Sequence, residues 1–410
     1  MDKIQNGGVE IGRKLPSGWQ IIRLGEVCEF AYGSSLPSNR RIPGTVPVYG
    51  SNGIVGYHVQ ALTTGPSIVI GRKGSIGKVY FSSIPCWPID TTYYIEHPKS
   101  DSDLTWLTYS LRFLNLQELN KAAAIPGLNR EDAYSLEIPL PPLEDQRRIV
   151  AILSGQLEAV EKALAAAEAQ LEAAKALSSA YLRKLLPQPE QELPAGWLWA
   201  HLGDFILESR SGFGRRPKGN EEDPIVLRIT DVSKGVVDLS NPRRGAMSKD
   251  EIETYSLKRG DLLFIRVNGN SDIVGRCVLI GIEHENLKFN DYLIRVRLKE
   301  VILPHYARIM CDAPSIRKHF IETAATTAGQ STINRESLCS LPFPLPPLSE
   351  QRRIMDEFSQ QMVTVGKLRM ALEAQLNKIR TLPAMLLHQA FSGELLYGKK
   401  CQEKQSEWQR

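Results

Sequence analysis

The sequence has little that could make or break a bond. None of its six cysteines (Cys28, Cys86, Cys277, Cys311, Cys339 and Cys401) is part of a CxxC pair. Scattered this way, they are expected to be reduced thiols, neither a disulfide framework nor a zinc site. No two of the seven histidines have zinc-ligand spacing. The run "GRKGSIGKV" approaches a phosphate loop and fails. Gly71 to Gly77 is one residue too long, and Val79 stands where a metal-holding Ser or Thr is needed. No GxGxxG follows a strand-like run and no GxSxG occurs. No apolar run is long enough to span a bilayer. The first residues lack the apolar core of a signal peptide, so a cytoplasmic location is expected. Net charge is only +4, with 23% charged and 42% hydrophobic residues. That is ordinary for globular protein, and it leaves room for a local basic patch.

What the sequence does have is itself, twice. "PLPPLEDQRRI" at 139–149 returns as "PLPPLSEQRRI" at 344–354, an offset of 205 residues. "LPSGW" at Leu15 returns as "LPAGW" at Leu193, an offset of 178. The second copy therefore carries 27 more residues between the two marks. "LNREDAYSL" from Leu128 and "INRESLCSL" from Ile333 keep the 205 offset. The interiors match only in fragments, such as Val79 against Val278 and "TTYYIEHP" against "NDYLIRVRL". Near-identical edges around dissimilar interiors suggest a held framework whose contents were selected to differ.

Each copy then runs into a long helical stretch. After Pro142 the chain is rich in strong helix formers, with Glu144 and Asp145 at its start and Arg183 and Lys184 at its end, as the helix dipole favours. A heptad seam runs through Val150, Leu153, Leu157, Val160, Leu164, Ala167, Leu171, Ala174, Ser178, Tyr181 and Leu185. At 1.5 Å per residue the rod is about 65 Å long. Shifted by 205, the seam becomes Met355, Phe358, Met362, Val365, Arg369, Leu372, Leu376, Ile379, Pro383 and Leu386. Arg369 interrupts it, and Pro383 is expected to kink or end the helix. A linker of about seven residues reaches at most about 25 Å, too short for a parallel pair. The rods are therefore expected to pack antiparallel, with the globular halves related by a pseudo-twofold axis.

The globular halves read as α+β. Their loops mix Arg, Lys, Asn, Ser and Gln with Gly, the side chains that reach phosphates and base edges. "YGSNG" (49–53) and "GRKGSIGK" (71–78) stand out in the first half. "SGFGRRPKGN" (211–220), "RVNGNSD" (266–272) and "GQSTINR" (329–335) stand out in the second. The candidate DNA contacts are Arg72, Lys73, Ser75 and Lys78, then Arg215, Arg216, Asn268, Asn270, Gln330 and Ser331. Gln146, Arg147 and Arg148, with their mates Gln351, Arg352 and Arg353, share a job: domain–helix contact or partner docking.

The doubled PLPPL-x-x-QRRI, LPSGW/LPAGW, LNRED/INRES and the closing "LLHQAFSGEL" (386–395) resemble the specificity subunit of type I restriction–modification systems over nearly the whole chain. The resemblance implies two target recognition domains, at 1–142 and 193–347. A first spacer helix and linker occupy 143–192, a second helix 348–395, and a polar tail 396–410. It implies that each domain binds one half of a split, asymmetric duplex target. The helices would set the spacing and dock two methyltransferase subunits, which recruit motor-nuclease subunits. No cofactor, metal or catalytic residue is expected in this chain. S-adenosylmethionine, ATP and Mg would belong to the partners. Two other readings are a self-contained modification enzyme and a coiled-coil adaptor. The first needs an Asn-Pro-Pro-Tyr or Asp-Pro-Pro-Tyr run. The nearest string, Asn241-Pro242-Arg243-Arg244, lacks the second proline and the aromatic. The second would show no salt-dependent DNA binding.

Overall fold

The computed structural model describes residues 4–6, 9–11, 15–122, 127–187, 191–215, 219–284, 286–327 and 329–398. The chain forms two compact units, Met1–Glu168 with Ala374–Arg410, and Ala169–Glu373. The division cuts through both long helices, so each unit contains a piece of each.

The first unit is built on a four-stranded antiparallel sheet. Its strands are ordered Ala31–Tyr32, Thr92–Ile95, Ser67–Gly71, Val79–Ser82. A three-stranded sheet sits alongside: Gly53–His58, Val46–Gly50, Trp87–Pro88. Helix Leu104–Phe113 is capped by Asp103, whose carboxylate accepts from the Thr105 and Trp106 amides. It buries Trp106, Leu107, Leu111 and Phe113 in a core shared with Ile68, Ile70 and Phe30.

The second unit repeats the four-stranded order with Ile206–Ser211, Leu293–Leu298, Leu262–Ile265, Cys277–Leu279. Helices Pro304–Met310 and Pro314–Thr323 cover it, with Tyr306 and Phe320 fully buried. A further three-stranded sheet joins Val267–Asn268, Gln330–Thr332 and Ala325–Thr327. Arg295 is 1% exposed, and its two terminal guanidinium nitrogens donate to Glu208 and to the Thr254 and Ser256 carbonyls, while Nε is buried without a partner. Arg297 joins Glu208 to Asp261. Breaking such a buried network would leave an uncompensated charge.

The repeated motifs turn out to be one structural frame. In the first unit, strand Gln20–Arg23 pairs with Glu137–Leu140, Gln20 opposite Leu140. In the second, Leu198 stands opposite Leu345. These are the same positions under the 178 and 205 offsets, so the register is preserved. Gly18 and Gly196 both have positive φ, at 85° and 82°. They lie over Pro142 and Pro347, the last prolines of the two PLPPL strings. The asparagines of LNRED and INRES are helix N-caps. Asn129 accepts from the Glu131 amide and Asn334 from the Ser337 amide.

The long helices are Leu143–Leu185 and Leu348–Phe391. Every predicted seam position of the first is shielded from solvent, and in the second only Arg369 is exposed. Pro383 does not end the second helix, which continues to Phe391. In the first unit, the opening turns of the first helix share a core with the closing turns of the second. Ile149 and Leu153 lie there with Leu387, Ala390 and Phe391. In the second unit Leu182 and Leu186 share a core with Ile354, and the Tyr181 hydroxyl donates to Glu357. Within each unit the two helices therefore run antiparallel. No helix among the described residues is long and apolar enough to cross a membrane.

The QRRI glutamines fasten helix to domain. Gln146 is 1% exposed. Its amide donates to the Pro141 carbonyl and its oxygen accepts from the Asp103 amide. Gln351 is fully buried. It donates to Pro346 and Val301 and accepts from Leu303. Replacing either with alanine strands buried backbone groups and should cost roughly 2–4 kcal/mol. Urea unfolding of Gln146→Ala and Gln351→Ala should show this loss, and Gln→Glu should not restore stability because the amide hydrogens are the donors.

A second prediction concerns pH. Asp145 is buried, which alone would raise its pKa. Hydrogen bonds from Tyr397 and Trp19, and the nearby Arg148, outweigh this and hold the carboxyl below its ordinary value. A depressed carboxylate stabilises the fold above its unfolded pKa, and that contribution is lost as pH falls through the lower folded value. Acid unfolding of the first unit should lose part of its pH dependence in Asp145→Asn and in Tyr397→Phe.

Candidate nucleic-acid interface

In the first unit, residues 71–78 close a tight loop between two strands of the main sheet. The Gly71 amide donates to Lys78 and the Gly77 amide to Gly71, at 2.9 and 2.8 Å. Gly77 has φ +71°, and a Cβ there would sit 2.5 Å from the Gln117 nitrogen. Arg72 fastens the base of the loop. Its amide donates to Thr91 and its carbonyl accepts from Leu128, both at 2.9 Å. Its guanidinium donates to the Asp90 carbonyl at 2.7 Å and lies over Tyr32 and Tyr93. Arg130 also packs over Tyr32.

The second unit repeats this buckle. The Arg266 amide donates to Tyr292, its guanidinium to the Asp291 carbonyl, and its carbonyl accepts from Ile333. The Ile265 amide donates to Arg276 and the Gly275 amide to Ile265. Gly275 has φ +73°. Arg72 thus corresponds to Arg266 and Lys78 to Arg276, with four more residues in the second loop. The strand registers then set Val79 against Cys277 and Thr91 against Tyr292. The fragment alignment read from the sequence was one residue off at the first position and two at the second. A one-residue slip is invisible in short apolar runs.

The candidate contacts separate under this geometry. Lys73 and Lys78 are exposed at the loop, and Ser75 is half-buried. The Ser75 amide donates to the Ser51 hydroxyl at 3.4 Å, which brings the 49–53 and 71–78 loops together. Arg72 is half-buried at the base of the loop, with one guanidinium nitrogen donating to the Asp90 carbonyl and its Nε buried without a partner. In the second unit Asn268 stands opposite Ser331 on the three-stranded sheet, beside Gln330. Asn268 accepts from the Asn270 amide and Asn270 from the Asp272 amide. Their carboxamide nitrogens carry no bond among the described residues. Gln330 and Asn270 are exposed, whereas Ser331 is buried and supports its neighbours. Arg215 ion-pairs with Glu251 and lies over Phe213. Arg216 lies outside the described residues.

One feature was missed from the sequence. A cavity of about 260 Å³ in the second unit is lined by Arg215, Arg228, Arg243 and Arg244 with Phe213, Thr230 and Tyr292. The doublets Arg215-Arg216 and Arg243-Arg244 were its visible signal. The second was read only as a failed catalytic run.

On the long helices, Arg147 and Arg352 occupy equivalent exposed positions, and neither side chain has a bond among the described residues. Arg148 pairs with Asp145, and Arg353 with Glu350 and Glu357. Of the two roles expected for the glutamines, domain–helix contact is the one their burial and hydrogen bonds fit. Cys28, Cys86, Cys277, Cys311 and Cys339 are free thiols. Burial pushes the Cys28 thiol up to about 12, which makes it unreactive. No group of side chains among the described residues could hold a metal ion.

Residues 16–171 match the family model for the type I restriction modification DNA specificity domain. The specificity subunit of the type I restriction enzyme EcoKI of Escherichia coli K12 is 30% identical over 288 residues, covering 68% of this chain and 62% of the relative. The StySPI specificity subunit of Salmonella potsdam is 28% identical over 287 residues, again 68% and 62%. This chain thus spans a little under two thirds of the length of those relatives. The EcoBI specificity subunit of Escherichia coli is 22% identical over 424 residues, covering 93% and 87%. Among solved structures, a chain from the assembly and conformational transition of a type I R-M system superposes with a TM-score of 0.74. It is 22% identical and covers 93% of this chain and 100% of its own. The HsdS subunit from Thermoanaerobacter tengcongensis gives 0.54 at 21% identity, covering 93% and 98%. These two share the fold.

The buckle makes a direct prediction. Arg72→Ala and Arg266→Ala should loosen residues 73–77 and 267–275 respectively, while the four-stranded sheets stay intact. Amide hydrogen exchange should rise by about tenfold or more in the affected loop alone, matching the loss of one or two hydrogen bonds.

Proposed function

We propose that this chain, which belongs to the type I restriction–modification specificity family, reads a split, asymmetric duplex DNA target without itself performing chemistry. One observation carries the reading. The frame is repeated in strand register, glycine turn, asparagine cap and buried glutamine, while the loops it holds differ in length and composition. A fixed mount with two unlike reading heads suits two unlike half-sites.

The heads use different chemistry. In the first unit Lys73 and Lys78 offer cations suited to phosphates, and Ser75 and the 49–53 turn stand beside them. In the second, Asn268, Asn270 and Gln330 present carboxamides, the group that pairs in bidentate fashion with adenine in the major groove. Arg72 and Arg266 position these loops. Arg147 and Arg352, exposed at the same place on each long helix, are suited to docking two methyltransferase subunits. Methyl transfer to a flipped adenine, and cleavage, belong to those partners and to motor-nuclease subunits, which would hold S-adenosylmethionine, ATP and Mg. The recognition domains are 1–142 and 193–347.

The test is to co-express the chain with its methyltransferase partner and map modified adenines across a genome by single-molecule sequencing. A bipartite, asymmetric motif is expected. Replacing residues 73–77 with the corresponding loop of a relative should change bases in one half of the motif only. A continuous motif, or a loop replacement that alters both halves, would contradict this division of labour.

A further inference from the structure

The arginine cavity lies in the part of the second unit that is lengthened most relative to the first. Gly33 and Gly212 are equivalent: their amides donate to the Thr92 and Leu293 carbonyls, which hold equivalent positions in the two separate sheets, opposite Gly71 and Ile265. Their offset is 179, whereas that of Gly71 and Ile265 is 194. Fifteen of the 27 extra residues therefore fall between Gly212 and Ile265, and that segment supplies all four arginines.

The four guanidinium groups are not equally engaged. Arg228 makes a two-pronged pair with Asp231 and donates to the Asn241 carbonyl. Arg244 donates to the Asp223 carbonyl at 2.6 Å, and Arg215 pairs with Glu251. Arg243 is exposed, and its side chain has no bond among the described residues. The lining holds four guanidinium groups and no carboxylate, and among the described residues only Asp231 and Glu251 pair with them by side chain. Asn290 also lines it, and its Oδ1 is buried without a partner. The wall is shared with the reading loop. Arg266, which anchors the Asn268–Asn270 turn, bonds to the carbonyls of Asp291 and Tyr292, and Tyr292 lines the cavity.

We propose that this cavity grips a backbone phosphodiester of the DNA strand whose bases the adjacent loop reads. Guanidinium groups match phosphate oxygens in planar, bidentate fashion, and partly pre-paired arginines are already oriented. Arg243 supplies the free donor pair, with Arg215, Arg228 and Arg244 holding the surrounding positive field. The inference rests on the DNA-reading function above. It adds that the second unit holds the backbone through a device the first unit lacks.

The test uses the full chain assembled with its methyltransferase partner. Binding to a target duplex and to a scrambled duplex is followed by fluorescence anisotropy at several salt concentrations. Arg243→Ala should weaken both duplexes by the same factor and lower the salt slope by about 0.9, the signature of one lost phosphate contact. Arg243→Glu should weaken both further, and the methylated motif should not change. Unchanged affinity and slope in both variants, with a wild-type complex that binds, would overturn the phosphate grip alone. So would a motif altered at one base, which would make Arg243 a base reader. A wild-type complex that binds neither duplex would overturn the DNA-reading function, and the grip with it.

Discussion

A single buried side-chain amide at the start of each long helix holds the design together. Gln146 and Gln351 each take a hydrogen bond from the backbone ahead of a domain helix and give one to the proline carbonyl that follows the last strand. The bonds lie out of water, where an unmade partner is expensive. The helix therefore leaves its domain in one orientation. The PLPPL strand, the LPxGW turn over its last proline and the helix become one rigid piece. Everything variable hangs from that piece, so the loops between can change while the mount does not.

This explains which features could be read from the sequence. The helical seams were legible because burial on a helix imposes a period, and each predicted position of the first seam is shielded. The frame was legible because it is built from residues with special backbone needs: glycines at positive φ, prolines at a stop, asparagines at caps. The loop buckles were not. Arg72 and Arg266 bond to main-chain carbonyls, which every residue has, so their partners Asp90 and Asp291 leave no mark. The arginine cavity was missed for a related reason. It joins Arg215, Arg228 and Arg243-Arg244, brought together by an irregular segment with no period to follow. Pro383 does not end its helix, because propensity speaks for isolated helices. Here the turns that follow it are packed in a core through Leu387 and Phe391, and tertiary packing outweighs a lost backbone bond.

The two units also differ in how they carry charge. The second unit buries Arg295 beneath Glu208 and ties Arg297 to Asp261 on the same sheet. Such networks contribute little net stability compared with an apolar core, but they tolerate few alternative arrangements. A sheet that must present a longer loop and an added three-stranded layer in one register gains from that constraint.

The unit boundaries carry a consequence for how the protein is made. The second unit is one continuous stretch, Ala169–Glu373, whereas the first joins residues up to Glu168 with those from Ala374 onward. Phe391 stacks on Phe113 and lies beside Trp106 in the core of the first unit. The half synthesised first is thus the half completed second. On the ribosome its apolar face stays uncovered until all of the other unit has emerged, and a chain interrupted between the two would expose that face to solvent and to any apolar surface nearby.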